Sequence, residues 1–170
     1  MKKDRSAFCR GSILKATTFL ILAQGLFSVS LRGQGVSPYT REQLLTQTQP
    51  LLEKAKSSPD GLALLILEKY STSSTMLIVR TKPGQSEFHA AWDDFMIPLE
   101  GEATVMTGGE LIGGKSTEPG EIRGASLKGG ISHHLAPGEM LRIEAGIPHQ
   151  AVIAPGKTFK YLVIKILDKK

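Results

Sequence analysis

The chain has little that stabilises or reacts by covalent means: one cysteine in 170 residues, Cys9, and one tryptophan, Trp92, among 6% aromatic residues. A single thiol excludes an internal disulfide framework. Its place before an apolar run, rather than after it, excludes a lipid-modified cysteine of the lipoprotein type. No basic stripe interleaved with aromatics occurs, so the sequence gives no support to a nucleic-acid partner. A long membrane span is missing too. The stretch from Ala16 to Val29 is apolar but interrupted by Thr17, Thr18, Gln24, Gly25 and Ser28, and it is short for a bilayer.

What stands at the N-terminus is an ordered set of signals. Lys2, Lys3, Arg5, Arg10 and Lys15 precede that apolar run, which ends in the small-x-small site Ser28-Val29-Ser30, with a second such site at Ala23-Gln24-Gly25. The order is that of a secretory signal peptide over residues 1–30. Its removal takes five of the 21 basic residues and one of the 16 acidic ones, leaving 16 against 15. The formal charge of +5 therefore belongs to the targeting segment. The expectation is an exported protein, periplasmic or secreted, without stable membrane insertion after cleavage and without cysteine. About 140 residues then remain, enough for one domain with a real core.

Residues 31–39 read as a flexible leader. Thr40 with Gln43 forms a capping box, and Leu44, Leu45, Leu51, Leu52 and Ala55 supply an apolar stripe, predicting a helical segment within residues 40–58. Pro50 falls inside it and predicts a kink or two short pieces. From Asp60-Gly61 onward the pattern is strand and turn. Leu62 to Tyr70 and Thr75 to Thr81 form a hairpin, and further strands fall at Phe95 to Val105, Ser132 to Leu135, Met140 to Glu144, Gln150 to Ala154 and Lys160 to Leu167. Short strands at this spacing predict an all-β barrel or double-sheet jelly roll over residues 61–168. The segment Thr107 to Gly130, with three Gly-Gly pairs, reads as an extended hairpin at the barrel rim. Within it Gly109, Gly114, Lys115 and Ser116 satisfy a phosphate-loop pattern, but Pro119-Gly120 would break the helix that such a loop needs.

The residues that can carry chemistry are Glu87, His89, Asp94 and His149. Side chains alternate along a strand, so Glu87 and His89 share one face while Phe88 packs on the other. Asp94 comes from the next strand and His149 from a distant one. Imidazole nitrogen and carboxylate oxygen together ligate borderline first-row metals. Two His ligands predict a metal that is lost on acidification, as imidazole takes up its proton near its unperturbed pKa of about 6.5.

In these residues the chain resembles the cupin superfamily. Its first motif runs Gly, five residues, His-x-His, three or four residues, Glu, six residues, Gly; here His89, Asp94 and Gly101 keep the frame. Glu87 stands in the first histidine position and Asp94 in that of the glutamate, while the opening glycine position falls on Thr81. The second motif is met by Gly138, Gly146 and His149, with Glu144 and Ile153 in place of its proline and asparagine. The resemblance implies a cupin-type double-stranded β-helix, a homodimer, a divalent metal held by Glu87, His89, Asp94 and His149, and a small-molecule ligand. Two carboxylates make the set harder than three histidines and a glutamate, which favours Mn(II), Fe(II) or Zn(II). Asp94, one methylene shorter than glutamate, is the least secure ligand. Trp92, Arg142 and His134 are candidates for the ligand pocket; His133 competes with His134 for the inward face, and Arg142 has an outward ion pair with Glu144 as its alternative. Metal-dependent oxygenases, isomerases and lyases are all available outcomes, as is a non-catalytic protein, either a binder of a small, sugar-like molecule or a structural one, with a vestigial metal site.

Overall fold

The computed structural model describes residues 37–168, and the expected signal peptide lies outside the described residues, as does most of the expected leader. Residues 37–40 have no regular structure, and the first element is a helix, α1, Arg41–Ser57. Thr40 caps it as expected: its hydroxyl accepts from the Gln43 N–H at 3.2 Å, and the Gln43 side chain accepts from the Thr40 N–H at 2.9 Å. Pro50 neither ends nor divides the helix. Leu44, Thr48, Leu51 and Ala55 are buried on one face while Pro50 points to solvent, so packing on both sides of the proline holds the helix as one element. Each fully buried leucine contributes roughly 1.5–3 kcal/mol, comparable to the roughly 3 kcal/mol that an interior proline costs.

Thirteen strands follow: β1 Leu62–Lys69, β2 Ser73–Arg80, β3 Ser86–His89, β4 Trp92–Glu100, β5 Ala103–Thr107, β6 Glu110–Ile112, β7 Lys115–Glu118, β8 Glu121–Gly124, β9 Ser126–Lys128, β10 Ile131–Leu135, β11 Leu141–Ile143, β12 His149–Val152 and β13 Phe159–Leu167. They form a five-stranded sheet, β1-β2-β13-β4-β11, a six-stranded sheet, β10-β5-β12-β3-β8-β7, and a small pair, β6-β9. Every pairing is antiparallel. This is the cupin-type double-stranded β-helix that the motifs imply, with the helix added at the N-terminal side.

The core lies between the two large sheets, where Ile78, Met96, Tyr161 and Val163 of one meet Ala103, Val105, Leu135 and Ala151 of the other. A second apolar layer sits on the outer face of the five-stranded sheet, where Leu77, Val79 and Leu99 receive Leu44, Leu51 and Ala55 of α1. Leu77, Ile78, Val79 and Arg80 are therefore buried in succession, because β2 is covered on both faces.

The segment 107–130 folds as an extended hairpin, the form its glycines suggested, with β6–β9 pairing outside and β7–β8 nested within. Two of its four strands become part of a large sheet: β8 pairs with β3, so that β7 and β8 extend the six-stranded sheet, while β6 and β9 stay a separate pair. The phosphate-loop residues Lys115 and Ser116 lie on strand β7, with no helix behind them.

Candidate metal centre

Glu87 and His89 project from the same face of β3, Asp94 from β4 and His149 from the start of β12, so the six-stranded sheet supplies three groups and the five-stranded sheet the fourth. One ligand atom from each lies within 4.8 Å of all the others. His89 Nε2 is 3.5 Å from both Glu87 Oε2 and Asp94 Oδ2. His149 Nε2 is 3.8 Å and 3.6 Å from the same two oxygens. Asp94 thus meets both imidazoles despite its shorter side chain. Its neighbour Asp93 faces the other way, accepting from Arg142 and from the Ala145 N–H at 2.8 Å.

Direct cross-strand register explains most of the surrounding contacts. His149 lies opposite Glu87, His89 opposite Glu121, Glu87 opposite Arg123, and Asp94 opposite Lys165. Side chains on such pairs are within reach of one another. His89 Nδ1 bonds Glu121 Oε2 at 2.5 Å, Lys165 Nζ donates to Asp94 Oδ1 at 2.7 Å, and Arg123 Nη1 contacts Glu87 Oε2. Arg80, from β2, donates from Nε to the Tyr161 hydroxyl at 3.0 Å and stands 3.6 Å from Glu87 Oε1.

Both imidazoles are oriented by their Nδ1 atoms. Glu121 holds that of His89, and the Ile147 carbonyl, at 3.2 Å, accepts from that of His149. This arrangement turns each Nε2 toward the carboxylates, as when a histidine ligand is fixed by a carboxylate or carbonyl behind it. The loop that delivers His149 is tied to the other histidine: the Gly146 N–H donates to the His89 carbonyl at 2.8 Å, with φ +83° at Gly146. The motif glycine is therefore a backbone requirement.

Charge follows this geometry. Burial pushes the Glu87 carboxyl up, but His89, Arg123, His149 and Arg80 outweigh it and hold it at about 2. Burial also opposes ionisation of Asp94, yet His149, His89 and Lys165 keep it far below the carboxylate range. For His89, burial pushes down and the Asp94 and Glu87 carboxylates lift the pKa to about 9. At 3.5 Å these carboxylates act on the Nε2 proton mainly as charges; His89 is 2% exposed and its Nε2 has no hydrogen-bond partner. A buried nitrogen without a partner, aimed at two carboxylates and a second imidazole, is where the residues fit a divalent cation.

Beside the cluster lies a cavity of about 270 Å³, lined by Glu87, Asp94 and His149 among others. Trp92, Arg142 and His134 do not line it, contrary to expectation. Trp92 shares Asp94's face of β4 but stands at the end of the strand, against shallow surface depressions with Lys69 and Lys165. Arg142 points outward, donating to Asp93 Oδ2 from Nε at 3.0 Å and Nη2 at 2.6 Å, with Glu144 3.4 Å away. His134 is 63% exposed and pairs with Glu102 at 3.2 Å, whereas His133 bonds the Thr107 hydroxyl at 2.9 Å. Four residues around the site escaped the sequence reading: Arg80, Glu121, Arg123 and Lys165. Only the alternation of Glu121 and Arg123 about Ile122 hinted at a common face, and nothing in the sequence placed that face on β3.

No protein-family model matches the chain, and no curated protein matches it. Solved structures similar to it include a cupin superfamily protein from Desulfitobacterium hafniense DCB-2, at 16% identity over 70% of this chain and 89% of that one, with a TM-score of 0.47. A sugar phosphate isomerase from a cupin superfamily of Silicibacter pomeroyi DSS-3 has 20% identity over 68% and 64%, with a TM-score of 0.44. The DMSP lyase DddQ from Ruegeria pomeroyi DSS-3 has 15% identity over 81% and 77%, with a TM-score of 0.48. The fold assignment rests on the strand order and register given above, not on these scores.

Proposed function

We propose that this cupin-type barrel binds one divalent metal ion, Mn(II), Fe(II) or Zn(II), through Glu87, His89, Asp94 and His149, and holds a small molecule beside it. The observation that carries this reading is the buried His89 Nε2, which has no hydrogen-bond partner and faces the other three donors. A metal ligated by the neutral imidazole would give that nitrogen the direct partner it lacks, in exchange for the proton that Glu87 and Asp94 favour. A divalent ion there supplies Lewis-acid polarisation or a more acidic bound water, the chemistry of metal-dependent oxygenases, isomerases and lyases. The chain's own part is to orient: Glu121 and the Ile147 carbonyl fix the two imidazole tautomers.

A second reading, a non-catalytic binder with a vestigial metal site, has one observation in its favour. Glu87 already faces Arg80 and Arg123, Asp94 faces Lys165, and Glu121 holds His89, so every carboxylate of the cluster has a basic partner without a metal. Metal analysis of protein purified without a histidine tag separates the two. Stoichiometric metal, lost in His149→Ala and reduced less severely in Asp94→Ala, supports the metal centre. No uptake of Mn(II), Fe(II) or Zn(II) on reconstitution favours the binder.

Residues 1–30 further support an exported protein, periplasmic or secreted. A homodimer is in keeping with the resemblance and with β1, an edge strand on which Leu64, Leu65 and Ile66 are exposed.

A further inference from the structure

We infer that the cavity beside the cluster takes a small dicarboxylate, two negative charges on a short apolar body, and that this anion and the metal reinforce each other's binding. The inference rests on the metal reading above. Besides three of the four donors, the charged residues that line the cavity are Arg80, Arg123 and Lys165 and the exposed Asp60. Among the groups shielded from solvent, three cations offset Glu87, Asp94 and Glu121, so a divalent ion bound to neutral imidazoles leaves two uncompensated positive charges there, while Asp60 is exposed and screened. Burial limits how far solvent can screen them. A dianion in the adjoining cavity restores the balance.

The two oxygens of each ligating carboxylate show which cation becomes available. Asp94 divides its work: Oδ1 takes Lys165 while Oδ2 faces the imidazoles. Glu87 does not, because Oε2 both faces the imidazoles and contacts Arg123. A metal at Oε2 competes with Arg123 for that oxygen, leaving guanidinium donors directed to the cavity. Arg80 is the fixed element: it is 6% exposed, anchored on Tyr161, and lies against Gly84, where a Cβ would fall 2.7 Å from its Cζ and 2.8 Å from Nη1. The absence of a side chain at Gly84 makes room for this guanidinium. Met76, Ile78, Met96 and Val163 supply an apolar stretch of the wall suited to methylene groups.

The test is equilibrium dialysis of the purified protein against Mn(II) alone, with succinate, and with the neutral isostere succinamide. Succinate should tighten Mn(II) binding by about tenfold or more, within the roughly 5–150-fold span of typical coupling between sites, and succinamide should not. Succinate also chelates free Mn(II), which works against the expected effect and so cannot imitate it. In Arg123→Gln, on a partly exposed strand, the succinate effect should shrink when it is measured against that variant's own affinity for Mn(II) alone. Mn(II) binding that is indifferent to succinate, or equally promoted by succinamide, overturns the inference and leaves the metal centre standing; so does full succinate coupling in Arg123→Gln. No Mn(II) binding under any condition overturns the metal centre and the inference with it.

Discussion

Metal affinity should rise steeply between pH 7 and pH 9, because the metal must displace a proton that His89 holds unusually firmly. Asp94 and Glu87 lift the His89 pKa to about 9 against the opposing effect of burial. At pH 7 about one molecule in 100 then has a neutral His89 imidazole, which lowers apparent affinity about 100-fold, or about 3 kcal/mol at 1.36 kcal/mol per pH unit. Affinity should therefore gain about a factor of ten per unit from pH 7 to 9 and level off above. Glu87 and Asp94 are ionised throughout and add no slope. This window lies above the one that an unperturbed imidazole would give. Calorimetric titration with Mn(II) under anaerobic conditions, in buffers of different ionisation heat, counts the protons: His89 should release about one per metal at pH 7. The metal-free protein behaves oppositely. A raised imidazole pKa contributes stability fully present below 6.5 and lost as pH rises through about 9, whereas the lowered pKa of Glu87 contributes stability present above 4.5 and lost as pH falls through about 2. The melting-temperature gap between metal-loaded and chelator-treated protein should widen from pH 7 to 9. Affinity that is flat across this range, with no proton released at pH 7, would refute the placement of His89 in the centre.

Glu121→Gln should weaken metal binding about 10- to 100-fold with little effect on folding, since it removes the charge that orients His89 and not a ligand; metal titration alongside thermal melting checks it, and unchanged affinity would exclude the role. Gly101→Ala should destabilise by roughly 1–3 kcal/mol, because φ is +77° and the new Cβ would lie 2.1 Å from the Thr158 carbonyl oxygen; the denaturant midpoint reads it, and an unshifted midpoint would contradict the contact. Export should remove about the first thirty residues, and the intact mass of secreted or periplasmic protein decides it: retention of Met1 to Leu22 would make the segment an anchor.

The legible parts of the sequence are those in which local pattern and tertiary environment agree. Glu87 and His89 share a face because strands alternate, and Thr40 and Gln43 cap a helix because that motif is contained within four residues. Gly101 and Gly146 stood out as motif positions, and their positive φ angles give the backbone reason. Of the two outcomes expected at Pro50, the division into two pieces failed because propensity was set against packing that only the folded sheet supplies. Arg142 and His134 misled because sequence cannot say which side of a strand is the inside when both faces carry polar groups. Glu121, Arg123 and Lys165 were invisible for a further reason: each acts through a partner more than 30 residues away, and register alone joins them.

The pairing of β8 with β3 divides ownership of the metal centre. The four donors belong to β3, β4 and β12, yet the groups that set the tautomer of His89 and the charge at Glu87 both ride on one short strand near the margin of the six-stranded sheet. Outside it lies only β7, whose residues are all exposed. Marginal hairpins of this kind open at lower free energy than the sheet interior. Fraying of the hairpin would release Glu121 from His89 and Arg123 from Glu87 together, loosening proton and cation in one event. Amide exchange along β8 should thus pace the rate at which metal enters and leaves, and sequence drift in this hairpin can retune the centre while every donor stays in place.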